Sequence, residues 1–322
     1  MQENNEPCTL RLGVSTCLLG ERVRYDGGHK RDRYLTEELG PYVEWVPVCP
    51  EVEIGLPIPR ETLRLVRGTA SPRLIMPKSG RDYTEVMQSW AVRRLDELGE
   101  IGLHGFIFKK DSPSSGLYRV RVYDHNGVPK REGTGVFAAE VRKRFPLLPL
   151  EEEGRLNDPR LRENFIDRIF IYYRWTCMLE SNPSPGGLVQ FHTAHKLTLM
   201  AHSPQAYREL GPVVATAGSL PWDDLVAAYG QRLMTAVEEL TTPGRHVNVM
   251  QHLMGYLKND MDSADKMELL GIIEDYRQGL LPLIVPLTLL KHHLNRNDVP
   301  DWVHQQVYLN PYPKELMLHN HV

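Results

Sequence analysis

A chain of 322 residues exceeds the ~100–200 residues of a typical domain, so two domains are expected, each burying its own core. With 38 basic against 41 acidic side chains, bulk charge leaves a local basic face as the only electrostatic route to nucleic acid. The amino terminus, "MQENNEPCTL", lacks the basic and apolar regions of a signal peptide, and the longest apolar run, "LLPLIVPLTLL", is broken by prolines and too short to span a bilayer; the expected location is cytoplasmic, with no membrane contact.

In chain order, "LRLGVSTC" reads as a strand ending at Cys17, "VEWVPVC" as a strand ending at Cys49, and "GFIFKK" as a buried strand leading into Ser112. "RLVRG" and "RLIMPKSG" read as a short hairpin around "TASP". Between these and the third strand, "TEVMQSWAVRRLDELG" predicts a helix with Thr84 as its cap and Gly99 as its stop. Strands interleaved with helices imply an α/β domain, three-layered with a mostly parallel sheet. Ligands of such sheets sit beyond the carboxyl ends of the strands, where these loops begin.

The stretch "FPLLPLEEEGRLNDPRLRENF" changes character, with prolines, a triple glutamate and an Asn-Asp-Pro breaker, and the linker is expected inside it. The domains are taken as residues 1–150 and 151–322. In the second, "RENFIDRIFIYYRWTCMLE", "GLVQFHTAHKLTLMAH", "DDLVAAYGQRLMTAVEEL", "HVNVMQHLMGYLKND" and "SADKMELLGIIEDYRQGLL" space apolar residues at three and four, which predicts an all-α bundle.

Reactive side chains gather in the strand-end loops: Cys17, then Cys49 with Glu51, then Ser112, Ser114 and Ser115 in "SPSSG". In a reducing compartment, each of the four cysteines is a packing residue, a ligand or a nucleophile rather than half of a disulfide. Cys8 and Cys177 are read as packing residues; for Cys17 and Cys49 packing and function stand level. Basic side chains crowd one loop at Arg22, Arg24, His29, Lys30, Arg31 and Arg33, and Lys109 and Lys110 approach the same edge, which suits a phosphate-bearing substrate. A serine-nucleophile hydrolase is disfavoured, because the loop holds no histidine and is not a strained nucleophile elbow.

These residues resemble the thiouracil desulfidase (TudS) family. Its motifs "CLLG…RYDGG…K", "PVCPE…GLP.PR" and "SPSCG" are matched by Cys17 to Gly20, Arg24 to Gly28, Lys30, Pro47 to Glu51, Gly55 to Pro57, Pro59 to Arg60 and, with one exception, Ser112 to Gly116. The second half resembles the YbgA-like helical domain through "FHTAHKLTLMAHSP", "TPGRHVNVMQHLMGYLK" and "PLIVPLTLLKHH", and the whole looks like the fused thiouridine desulfidases (RudS) that act on transfer RNA. The resemblance implies a 4Fe-4S cluster on three cysteines with one iron left open, a soft Lewis acid suited to a thiocarbonyl sulfur. It implies Cys17, Cys49 and position 115 as ligands, Glu51 as base, Ser112 as a substrate-orienting or proton-donating hydroxyl, and Arg24, Asp26, Lys30, Lys109 and Ser114 as substrate contacts. The expected reaction takes 4-thiouridine in transfer RNA to uridine and sulfide without redox change; free thiouracil-type molecules are a further substrate class.

The exception is Ser115, which stands where the motif has its third cysteine. A hydroxyl is a poor iron ligand, since clusters are built on thiolates. Three accounts stand open: an introduced cysteine-to-serine change, a natural variant with another ligand, and a homologue without the cluster, which would leave an inactive RNA-binding protein. In the helical half, His192 and His195 share a helical face. No cysteine or carboxylate completes a metal set with them, so His192, His195, Lys196, Arg232, Arg245, His246 and Lys258 are expected as RNA contacts, with the thiolated base leaving its stack to reach the first domain.

Overall fold

In the computed structural model, residues 9–69, 71–257 and 261–321 are described. The first unit runs β1 (Arg11–Ser15), β2 (Glu44–Val48), α1 (Pro50–Glu53), β3 (Arg64–Val66), β4 (Arg73–Ile75), α2 (Thr84–Ile101), β5 (Gly105–Phe108), β6 (Val120–Tyr123), β7 (Pro129–Gly133), α3 (Val136–Arg144) and β8 (Leu150–Glu152). β1 has four of its five residues buried and pairs in parallel with β2 and β5; β8 joins β5, giving the all-parallel order β2-β1-β5-β8. Such strands are buried on both faces and read as continuous apolar runs rather than alternating ones.

Gly13 marks a close approach: a Cβ there would lie 2.1 Å from Phe106 Cδ2. Phe106 in turn stacks on Phe108 at 4.2 Å and meets Phe137 of α3 edge-on, while Trp90 of α2 lies 5.1 Å from Phe137. This aromatic cluster packs α2 and α3 onto one face of the sheet, and each fully buried ring contributes roughly 1.5–3 kcal/mol.

Several boundaries differ from the sequence reading. β1 stops at Ser15, and Cys17 lies in a 3-10 turn, Thr16–Leu19. Thr84 is the first helical residue of α2 rather than its cap, donating to Asp82 Oδ1 at 2.6 Å and accepting from Leu74 N at 2.8 Å. The helix passes through Gly99 and ends at Gly102, whose φ of 72° supplies the left-handed turn. The expected hairpin forms from β3 and β4, and belongs to a second sheet of order β4-β3-β6-β7; Ala70 in its turn lies outside the described residues. The triple glutamate is not linker. Glu151, Glu152 and Glu153 are all buried at the end of the parallel sheet, their carboxylates occupied by backbone N–H groups and by Lys109 and Arg155.

The chain divides between Asp158 and Pro159, within the Asn-Asp-Pro breaker. The second unit is helical: α4 (Pro159–Ser181), α5 (Pro185–His202), α6 (Pro204–Ala215), α7 (Trp222–Glu238), α8 (Pro243–Met254), α9 (Ser263–Arg277), α10 (Ile284–Arg296) and α11 (Asp301–His304). α6, α10 and α11 were not among the predicted segments. Starts are fixed by a repeated device: Ser184, Ser203 and Thr242 each accept a backbone N–H, and a proline follows at the first helical position. Leu197, Met250, Leu253, Leu269, Leu287 and Leu290 meet in one apolar core. Among the described residues, no helix is long and apolar enough to cross a membrane.

Candidate active site

Parallel strands bring their carboxyl ends to one edge. Cys17 follows β1, Cys49 caps α1 after β2, and "KKDSPSSG" follows β5, so three loops far apart in sequence meet there. They border a cavity of about 480 Å3 whose wall includes Cys17, Cys49, Glu51, Ser112 and Ser115. The turn after β1 is tied by Lys30 N donating to Cys17 O at 2.9 Å, and Cys49 N donates to Glu53 Oε1 at 3.0 Å.

The serine loop is tightly built. Gly116 N donates to Ser112 O at 2.7 Å and Ser115 N to Ser112 Oγ at 3.1 Å, while Leu117 N and Tyr118 N both donate to Glu152 Oε1. Gly135 lies against it so closely that a Cβ would fall 2.5 Å from the Ser114 carbonyl. Ser114 Oγ donates to Glu51 Oε1 at 2.5 Å and lies 3.0 Å from Ser112 Oγ and 3.3 Å from Ser115 Oγ. Glu51 Oε2 faces Cys49 Sγ at 3.7 Å and Arg60 Nη2 at 4.0 Å.

Burial pushes the Cys17 thiol up to about 11, and burial followed by the Glu51 charge pushes Cys49 up to about 12. A thiol ligates only as thiolate, so binding a cation here would release both thiol protons. The donor set is two thiols and the Ser115 hydroxyl, and it does not fit a cluster held by three thiolates. Cys177 is buried in α4 of the second unit, and Cys8 lies outside the described residues. Among the described residues, no group of three or more His, Cys, Asp or Glu side chains is arranged to hold a metal ion.

The expected substrate contacts divide. Arg24, Lys30 and Lys109 line the cavity, although Lys109 is also paired with Glu153. Asp26 and Ser114 do not. Asp26 accepts from Gly28 N at 3.0 Å and pairs with Arg24 at 3.6 Å, shaping its own loop, and Ser114 is fully buried behind the wall. Arg60, Arg64, Arg121 and Tyr123 also line the cavity. Arg60 lay in a matched motif without an assigned role; Arg64, Arg121 and Tyr123 come from the second sheet, and nothing local in their strands marks them as cavity residues.

In the helical unit, two expected RNA contacts are corrected to packing residues. His195 is 3% exposed and stacked on Phe191, with Nδ1 2.8 Å from Phe191 O; His246 is buried with Nδ1 2.9 Å from the Tyr308 hydroxyl. Rings this deep offer no surface to RNA, and burial holds each at about 3, well below the ordinary 6.5. His192 is half-buried against Tyr229 OH at 3.0 Å and Lys196 sits over the Trp302 ring at 3.3 Å. Arg232 and Arg245 pair with Glu209 and Glu239. Lys258 lies outside the described residues.

Comparison with known proteins agrees with this division. The 2-thiouracil desulfurase family matches residues 12–153, and a family described as a protein of unknown function (DUF1722) matches residues 196–313. The chain thus matches a 2-thiouracil desulfurase family ahead of a DUF1722 family. The uncharacterized protein YbgA of Escherichia coli strain K12 is 32% identical over 167 residues, which is 51% of this chain and 96% of that protein. A solved [4Fe-4S]-dependent thiouracil desulfidase, TudS, is 30% identical over 47% of this chain and 95% of its own, with a TM-score of 0.39. By the YbgA match, the chain belongs to the YbgA family.

Proposed function

We propose that the first unit receives a thiolated uracil nucleotide, 4-thiouridine of transfer RNA, and that its cavity is built for hydrolytic exchange of the ring sulfur for oxygen. Water supplies the oxygen and the sulfur leaves as sulfide with the protons, so no redox partner is needed. The first unit would carry the chemistry and the second unit the RNA body. The observation that supports the reading most is the meeting of Cys17, Cys49, Glu51 and Ser112 around one cavity from three separate strand ends. Glu51 would take a proton from the attacking water, and Ser112 would orient the ring; Arg24 and Lys30 at the rim suit the phosphate. Free thiouracil is small enough for the same cavity.

The 4Fe-4S cluster enters this reading only with Ser115→Cys, which completes three thiolates. The serine favours a second reading, an RNA-binding homologue without desulfidase activity. Anaerobic preparation of the chain and of Ser115→Cys, with iron and sulfide assayed beside loss of 4-thiouridine from transfer RNA, separates the two. The expected result is iron, sulfide and turnover in Ser115→Cys, well above the parent chain. Ser115→Cys protein that gains neither iron nor turnover, yet shifts transfer RNA in a gel, would leave the second reading; failure to bind transfer RNA would sink both.

A further inference from the structure

Arg60 lines the cavity, and the reaction above leaves its placement without a purpose. Its side chain is 6% exposed, and Nη1 is buried with no hydrogen-bond partner among the described residues. Its charge neighbour is Glu51, 4.0 Å from Nη2 and so outside hydrogen-bond reach. The backbone is pinned to the loop after β1 by Arg60 N donating to Tyr25 O at 2.8 Å. A buried guanidinium with unmade donors is costly, and a position on the wall of a cavity indicates a ligand acceptor as the missing partner.

The acceptor must be an oxygen compatible with a deep site. A phosphate suits the more open Lys30 and Arg24, the latter with its side chain 21% exposed. Deep in the cavity, beside Glu51, the part of a nucleotide that arrives is the base. We infer that Arg60 donates to the ring carbonyl oxygen of the thiolated pyrimidine and thereby sets its orientation. Carbonyl oxygen is a strong acceptor and thiocarbonyl sulfur a weak one, so the guanidinium selects the oxygen edge and turns the sulfur away from itself. Arg60 is on this basis a substrate-orienting residue: it fixes which edge of the thiolated pyrimidine faces it. This inference rests on the thiouridine reading given above.

The test is equilibrium binding, independent of turnover. 4-Thiouridine, its 5′-monophosphate and pyridine-4-thione, which lacks the ring carbonyl oxygen, are titrated into the full chain and into Arg60→Lys and Arg60→Met. Loss of a hydrogen bond to a charged group predicts about 10-fold to 100-fold weaker binding of both uridine ligands to Arg60→Met, with partial recovery in Arg60→Lys. Pyridine-4-thione should bind the parent chain weakly and feel neither substitution. Even if Arg60→Met does not fold, the parent chain must prefer 4-thiouridine over pyridine-4-thione and Arg60→Lys must narrow that preference. Equal binding of 4-thiouridine by parent and variants overturns the inference, as does an effect confined to the monophosphate, which would assign Arg60 to phosphate. A parent chain that binds none of the three overturns the thiouridine reading itself, and the inference with it.

Discussion

Ser114 is the joint between Glu51 and the serine loop, and the strength of that joint can be measured. Its hydroxyl has a single proton, committed to Glu51 Oε1 at 2.5 Å. The contact with Ser112 Oγ at 3.0 Å must then run from Ser112 to Ser114, making a chain of hydroxyls that ends on a carboxylate. A hydrogen bond to a charged group contributes ~1.5–3 kcal/mol, and because the Glu51 side chain is 15% exposed, water recovers part of it; ~1–2 kcal/mol of coupling is expected. A double-mutant cycle of Ser114→Ala and Glu51→Met isolates this term, since the loss of the Arg60 contact is common to both Glu51 arms. Urea unfolding followed by hydrogen–deuterium exchange of peptides from the first unit reads it without involving the second. A coupling below ~0.3 kcal/mol, within the ordinary scatter of additivity, would mean that the short contact does not hold Glu51 to the loop.

Two further outcomes follow from the geometry. Burial holds His195 and His246 at about 3 against the ordinary 6.5, so the unfolded chain binds protons below pH 6.5 that the folded unit refuses. Stability of the second unit is therefore full above pH 6.5 and falls toward pH 3, by about 1.4 kcal/mol per pH unit for each group; urea midpoints that stay flat from pH 6.5 to 4 would contradict their burial as neutral rings. Gly135→Ala places a Cβ 2.5 Å from the Ser114 carbonyl and must push the serine loop from α3, costing ~1–3 kcal/mol. Its 4-thiouridine affinity should drop at least about 10-fold, in line with loss of a charged hydrogen bond's worth of positioning, and unchanged affinity in isothermal titration would show that the loop does not shape the cavity.

The parts legible in sequence are those where local pattern and tertiary role coincide. β5 reads as a buried strand because all of its residues are buried, and the helices of the second unit show their apolar periodicity because each buries a single stripe. Glu151–Glu153 misled for the opposite reason. Three adjacent carboxylates signal solvent by composition, yet here they bind the backbone of a strand-end loop and the Lys109 ammonium. His195 and His246 misled in a related way, since a histidine on an amphipathic helix looks alike whether its ring faces RNA or a buried carbonyl or tyrosine hydroxyl. Arg121 alternates with the buried Val120 and Val122, the mark of any half-exposed strand; only pairing of the two sheets' strands reveals what it faces.

The same bonds bear on what Ser115 means. The serine loop is fixed from behind, by Glu152 accepting from Leu117 N and Tyr118 N, by Ser112 O accepting from Gly116 N, and by Gly116 O and Ser114 O accepting from Gly135 N and Phe137 N. None of these partners is a cysteine, and none needs a cation in the cavity. The loop's geometry is thus set by the protein's own hydrogen bonds. Because the Ser115 backbone N–H is already bonded to Ser112 Oγ, exchanging its side-chain oxygen for sulfur leaves the loop's backbone hydrogen bonds in place and alters only the 3.3 Å contact with Ser114 Oγ. Ser115→Cys consequently tests chemistry rather than folding, and a loop that is this well held without a third thiolate is one in which that thiolate can be present or absent without the site losing its shape.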